Sequence, residues 1–244
     1  MSLDAKTWEP YKTNYEKIGQ DPSNIIIIED FLEKPDRELI LQYLDQYKDD
    51  ANFSGGKDIR FSRVKQENRT IYALQNKYQD KIYAEIKKHY MDKYDLQVAP
   101  EPWNSLHFVK WRVGMASALH TDCLHPNGEP VEKSSYYKLN IAGLMYPGDD
   151  YEGGRIVFPS YGVDIKPKPG TLILFPTVYQ HEVTKVTSGV RYTMPIWYTF
   201  SFPNQNNDNV LKDLNESILN KYDFNDSKGL WVNPGDPDKH LDTY

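Results

Sequence analysis

Residues 119–126, LHTDCLHP, set His120, Asp122, Cys123 and His125 within eight positions. In an extended strand, alternate side chains share a face roughly 7 Å apart, so His120 and Asp122 can reach one ion. A second imidazole from elsewhere would put two nitrogens and one carboxylate on one face of an octahedron and leave three positions open. That donor set suits non-haem Fe(II), which must also bind a co-substrate and O2. The octet alone also allows a four-ligand zinc site made of His120, Asp122, Cys123 and His125. The His-x-Asp spacing is weak evidence by itself. With six His and 35 acidic residues in 244, about one His-x-Asp/Glu arises by chance. A second copy, His240-Leu241-Asp242, stands in a polar tail with no strand-forming run behind it.

Two residues further along narrow the choice. His181 opens a new apolar run after GTLILFP, and Arg191 follows ten residues later at the head of RYTMPIWY. By strand alternation Arg191, Thr193, Pro195 and Trp197 share a face. A guanidinium pointing into a protein is costly unless it meets an anion, and a carboxylate accepting two bonds is its natural partner. An internal Arg–Asp/Glu bridge or an exposed rim position is the other reading.

These residues need elements to hold them. From about residue 105, short β-rich runs alternate with turns such as Pro147-Gly148, Gly153-Gly154, Pro169-Gly170 and Ser188-Gly189. Eight such runs predict an antiparallel sandwich or barrel. Upstream, Ile25–Ile28 reads as a short buried strand. A helix follows with Pro35 at its first position and Leu39, Ile40, Tyr43, Leu44 and Tyr47 on one face. A longer helix over 70–90 carries Leu74, Tyr78, Ile82, Ile86 and Tyr90 at every fourth position, a core-facing stripe. Val210–Leu219 reads as one more helix in an Asn/Asp-rich tail.

Composition sets the outer limits. Apolar residues make up 39% of the chain, with 19 Tyr, enough for a packed core. A net charge of −6 argues against nucleic acid or an anionic membrane as partner. One cysteine forbids an internal disulfide and suits a reducing compartment. No apolar run is long enough to span a bilayer, and the start MSLDAKTWEP has no apolar signal core; the expectation is a cytoplasmic protein.

Three ordered blocks carry a family resemblance. VKWRVGMASALHTD, LMYPGDDYEGGRIVFP and GTLILFPTVYQHEVTKVTSGVRYTMPIWY resemble the metal strand, aromatic strand with its acidic turn, and distal His-to-Arg segment of the 2-oxoglutarate- and Fe(II)-dependent dioxygenases. The branch they resemble is the prolyl 4-hydroxylase-like one, and IIIIEDFLEKPD resembles its lead-in strand and helix. The fold implied is α+β but mainly β: a double-stranded β-helix (jelly-roll, cupin-like) core with N-terminal supporting helices. Residues 1–22 are then an irregular lead-in. Residues 23–203 are a single domain, with helical support over 23–100 and the core over 104–203, and 204–244 are a polar extension.

The resemblance implies that His120, Asp122 and His181 bind Fe(II) and that Arg191 pairs with the far carboxylate of 2-oxoglutarate. The expected co-substrates are 2-oxoglutarate and O2, with ascorbate as an accessory. The expected reaction is hydroxylation of a C–H bond, prolyl 4-hydroxylase-like, on a peptide or protein, with release of succinate and CO2. The presence of Asp122, where related halogenases carry a small residue, points to hydroxylation. Tyr146, Thr193, Trp111 and Trp197 are the expected co-substrate-side residues, Tyr146 as a phenol that bonds the 2-oxoglutarate carboxylate or else as an ordinary sheet aromatic. Trp111 departs from the Tyr common at its position in the branch, and Thr193 from the usual Ser. Lys138 and Asn140 are expected near the entrance, with 51–66, 123–134 and the tail around the mouth and Trp103, Trp111 and Trp197 as aromatic walls. Cys123 is expected to be a small filler or an oxidation-prone bystander near the iron. The alternatives are the same chemistry on a free amino acid or small metabolite, and a non-catalytic jelly-roll binding module.

Overall fold

The computed structural model describes residues 18, 21–46, 61–62, 68–94, 99–102, 108–123 and 140–201. Three isoleucines, Ile26–Ile28, form strand β1, and Lys34–Gln46 form helix α1. Pro35 is its second residue rather than its first, where a missing N–H still costs nothing. Ile40, Tyr43 and Leu44 of the expected face are buried, whereas Leu39 is 42% exposed and Tyr47 lies outside the described residues. Helix α2, Arg69–Ile86, starts where the Asn68 side chain accepts the Ile71 N–H, a conventional N-cap. Its stripe of apolar residues every four positions advances about 40° per step beyond a full turn, so a regular helix would rotate it away from the core. A π-helical turn over Lys87–Met91 winds the chain back. Leu74, Tyr78, Ile82 and Ile86 of the regular helix are buried, and Tyr90 within the π turn stays buried with them.

The remaining strands are β2 (Phe61–Ser62), β3 (Ala99–Pro102), β4 (Phe108–Trp111), β5 (Ser117–His120), β6 (Ile141–Met145), β7 (Tyr151–Gly153), β8 (Ile156–Phe158), β9 (Val163–Ile165), β10 (Leu172–Pro176), β11 (His181–Val183), β12 (Val186–Gly189) and β13 (Arg191–Ser201). The major sheet runs β1-β10-β6-β13-β4-β2, with β3 also on β13; the minor sheet runs β5-β11-β8-β9, and β12 pairs with β7. Every pairing is antiparallel. All eight expected runs contain a strand.

Alternation divides the core into two. Ile141, Met145, Leu172, Leu174, Met194, Ile196 and Tyr198 face the helices and pack with Tyr78, Ile82, Ile86 and Tyr90. Their neighbours of opposite parity, Ala142, Tyr146, Ile173 and Phe175, face inward and meet Ile156 and Phe158 of the minor sheet. Strands buried on both faces read as continuous apolar runs, as LILFP does. The expected burial of β1 needs correction. It pairs on one side only, and Ile27 is 46% exposed, while Ile26 and Ile28 pack against the core. The result is the jelly-roll with helical backing that the sequence implied.

Candidate metal and co-substrate site

His120 closes β5 and sits directly opposite His181, the first residue of β11. Their rings lie 4.3 Å apart, centroid to centroid. Each Nδ1 faces a backbone carbonyl: His120 that of Ala118 at 2.7 Å, and His181 that of Tyr179 at 3.0 Å. A ring that donates through Nδ1 keeps Nε2 as a lone-pair donor. Both Nε2 atoms then converge on one oxygen of Asp122, Oδ1, at 3.6 and 3.7 Å. All three ligand atoms lie within 4.8 Å of one another. No other cluster of three or more His, Cys, Asp or Glu with this geometry occurs among the described residues.

Asp122 itself is not a strand residue, since β5 ends at His120. Strand alternation therefore does not place it. Its backbone N–H donates to Thr177 O at 3.0 Å, and its second oxygen, Oδ2, accepts from Trp197 Nε1 at 2.9 Å. The loop between β10 and β11 thus fixes two of the three residues, Asp122 through the Thr177 carbonyl and His181 through that of Tyr179. Burial works to raise the Asp122 carboxyl, but the His181 and His120 imidazoles and the Trp197 N–H outweigh it, and the group is held below the usual carboxylate range. Burial, aided by His120, brings His181 down to about 4. An ionised carboxylate beside a neutral imidazole is the protonation state a divalent cation requires. The donor set of two nitrogens and one oxygen fits Fe(II).

Cys123 is buried and receives the Thr177 hydroxyl at 3.4 Å; it does not join the ligand cluster. The four-ligand zinc arrangement is therefore not what the described residues form. His125, Lys138, Trp103 and the pair His240/Asp242 lie outside the described residues, as do most of the expected mouth and the expected helix over 210–219.

Arg191 begins β13 opposite Trp111 and is fully buried. Its guanidinium lies 4.6 Å from the Trp111 ring and 5.2 Å from that of Tyr146, and Nη2 donates to the Tyr146 hydroxyl at 3.2 Å. Trp111 spends its N–H on the Thr193 hydroxyl at 3.2 Å. Among the described residues, Arg191 Nε and Nη1 are buried with no hydrogen-bond partner. This excludes the internal Arg–carboxylate bridge within the described chain and leaves a desolvated cation that fits an incoming carboxylate. Tyr146 is pushed up to about 12 by burial, against the pull of Arg191, so its hydroxyl keeps its proton. Asn140 is fully buried and tied through its backbone to Tyr198 and Thr177, which corrects the expectation that it lines an entrance.

Sequence reasoning missed Gly154. A Cβ there would come 2.7 Å from Arg191 Cδ and 3.2 Å from Tyr151 Cε2, and its φ is +57°. Only glycine allows the guanidinium stem through at that point. The Gly-Gly pair was visible as a turn signal, but its contact with a residue nearly forty positions later was not.

Residues 106–199 match the family model of the 2OG-Fe(II) oxygenase superfamily. A PKHD-type hydroxylase of Crocosphaera subtropica is 26% identical over 106 residues, 43% of this chain and 46% of that protein. A PKHD-type hydroxylase of Thermosynechococcus vestitus is 31% identical over 103 residues, 41% and 45% of the two chains. The chain thus spans about half the length of these curated relatives. In fold it resembles a Trichoplax adhaerens prolyl hydroxylase solved with a hypoxia inducible factor oxygen degradation domain peptide fragment. That likeness has a TM-score of 0.54 at 16% identity and covers 82% of this chain and 94% of the other. That family uses Fe(II), 2-oxoglutarate and O2, and the His120, Asp122 and His181 cluster could hold the iron. Residues 106–199 are thus similar to the 2OG-Fe(II) oxygenase superfamily, on a jelly-roll that resembles that of prolyl hydroxylases in fold.

Proposed function

We propose that this protein is an Fe(II)- and 2-oxoglutarate-dependent hydroxylase acting on a peptide or protein, prolyl 4-hydroxylase-like in its choice of C–H bond. The observation that carries this reading is the pairing of two features in one inter-sheet interior. Two Nε2 atoms and one carboxylate oxygen converge at 3.6 and 3.7 Å, and the large sheet presents a buried guanidinium with two nitrogens unpaired among the described residues. When bound, Fe(II) with 2-oxoglutarate and O2 supplies the oxidising chemistry that hydroxylates a C–H bond and releases succinate and CO2.

The chain's own residues hold and shield that chemistry. His120, Asp122 and His181 would hold the metal. Trp197 occupies Asp122 Oδ2 and so presents Oδ1 to the metal. Arg191, steadied by Trp111 and Tyr146, receives the far carboxylate, and Thr193 fixes the Trp111 ring. Phe158 and Phe175 pack beside His181 at 5.8 and 4.7 Å between ring centroids and keep water from that flank. Support for a peptide or protein substrate is the likeness to the Trichoplax adhaerens enzyme, which was solved with a peptide fragment. No helix among the described residues is long and apolar enough to cross a membrane.

The test is mass spectrometry of proline-containing peptides and of free amino acids after incubation with Fe(II), 2-oxoglutarate and O2. A gain of one oxygen atom on peptides, matched by succinate, is expected. Modification of free amino acids alone would move the substrate to the small-metabolite reading. No metal-dependent 2-oxoglutarate binding at all would favour a non-catalytic binding module.

A further inference from the structure

Among the described residues, Arg191 Nε, Arg191 Nη1 and the hydroxyl of Tyr151 are buried with no hydrogen-bond partner of good geometry, and the Arg191 guanidinium is near enough to act on that phenol. A buried hydroxyl with nothing to bond is costly, and two side chains that share this defect at one place invite a common ligand. Tyr151 opens β7 and is 4% exposed. It lies in one packed cluster with Trp111, Val109, Val183 and Val186. Gly154 sets its ring and the guanidinium stem side by side, because an added Cβ would touch both Arg191 Cδ and Tyr151 Cε2. Of the other neighbours of the guanidinium, Trp111 presents its ring face and spends its N–H on Thr193, whereas the Tyr146 hydroxyl accepts from Nη2 and keeps its own proton to donate. Burial raises the Tyr151 phenol despite the nearby Arg191 charge, so the group carries a proton to donate.

We propose that the Tyr151 hydroxyl donates a hydrogen bond to the anion that Arg191 receives, making Tyr151 a second binding residue for the far carboxylate of 2-oxoglutarate. This rests on the reading of Arg191 given above. It assigns to the acidic turn before Gly153-Gly154 a part in co-substrate recognition. The geometry also explains why the hydroxyl is tolerated unpaired: its cost falls on the ligand-free state and is relieved on binding.

The experiment compares wild type, Tyr151→Phe and Arg191→Ala as full chains loaded with Mn(II), which binds without turnover. Affinity is measured by calorimetry for 2-oxoglutarate and for 2-oxobutyrate, a 2-oxo acid with no far carboxylate. Tyr151→Phe is expected to weaken 2-oxoglutarate about tenfold, the effect of one hydrogen bond to a charged group. It should leave 2-oxobutyrate unchanged and raise the ligand-free melting temperature, since an unpaired buried hydroxyl is removed. A purely structural tyrosine would weaken both acids together or lower the melting temperature, which would overturn the proposal. Unchanged 2-oxoglutarate affinity in Tyr151→Phe, with affinity lost in Arg191→Ala, would overturn it while leaving the Arg191 reading intact. Unchanged affinity in Arg191→Ala would remove that reading and this proposal with it.

Discussion

The two ends of the site solve opposite electrostatic problems. At the metal end the described polar atoms are held or aimed: both Nδ1 atoms face carbonyls, Asp122 Oδ2 holds the Trp197 N–H, and both Nε2 atoms converge on Asp122 Oδ1. At the far end a whole cation is buried with two nitrogens unmet among the described residues. The difference teaches where each ligand's binding energy comes from. The metal end is a preorganised cradle whose ligands are held by backbone carbonyls, so it needs little rearrangement to accept an ion. The far end is a desolvated charge whose cost is carried by the folded protein until an anion arrives.

That contrast can be broken first at the metal end, where the effects are largest. His120→Ala, Asp122→Ala and His181→Ala are each expected to lower iron-dependent succinate formation by more than about 100-fold, read by a coupled or chromatographic succinate assay. Arg191→Ala should act differently. It should raise the 2-oxoglutarate concentration for half-maximal rate by about 100-fold, the effect of losing one partner of a buried charge pair, with a smaller change in the rate at saturation. If Arg191→Ala instead abolished the rate at every 2-oxoglutarate concentration, the division of labour between the two ends would be wrong.

Trp197→Phe tests the join between them, because this residue of the large sheet bonds a ligand carried beyond the small one. It should weaken metal binding about tenfold, measured by Mn(II) titration in an electron paramagnetic resonance experiment, and leave 2-oxobutyrate binding to the metal-loaded protein unaltered. Tyr78→Phe should have the smallest effect on turnover. Its hydroxyl, in the helical backing, donates to Asp36 at 2.7 Å and accepts the Glu33 N–H at 2.8 Å. Losing it should cost about 1–3 kcal/mol of stability by urea denaturation and leave the 2-oxoglutarate requirement unchanged.

How far the sequence revealed this depended on the range over which each interaction acts. Short β-rich runs set off by Gly and Pro turns marked all eight core strands, of which LILFP, buried on both faces, is a continuous apolar stretch. The every-fourth-residue stripe located α2, but not the π-helical turn that keeps Tyr90 in register, since no local residue type signals it. His120, His181 and Arg191 stood out as polar residues at strand ends. Asp122 was singled out on a strand argument, whereas its actual placement comes from a backbone bond to Thr177, more than fifty residues on. The indole bond from Trp197 to Asp122, the glycine beside the Arg191 stem and the unpaired Tyr151 hydroxyl depend on two sheets meeting face to face. No pattern along one strand encodes such a contact.

The central claim is that one Fe(II) site and one anion site act together on a single 2-oxo acid. Anaerobic calorimetry of 2-oxoglutarate with wild type and Arg191→Ala, each with and without Fe(II), tests it most directly. The account predicts one 2-oxoglutarate per wild-type chain, binding that requires Fe(II), and a large loss of affinity in Arg191→Ala. Equal binding with and without the metal, or equal binding by the two proteins, would contradict it.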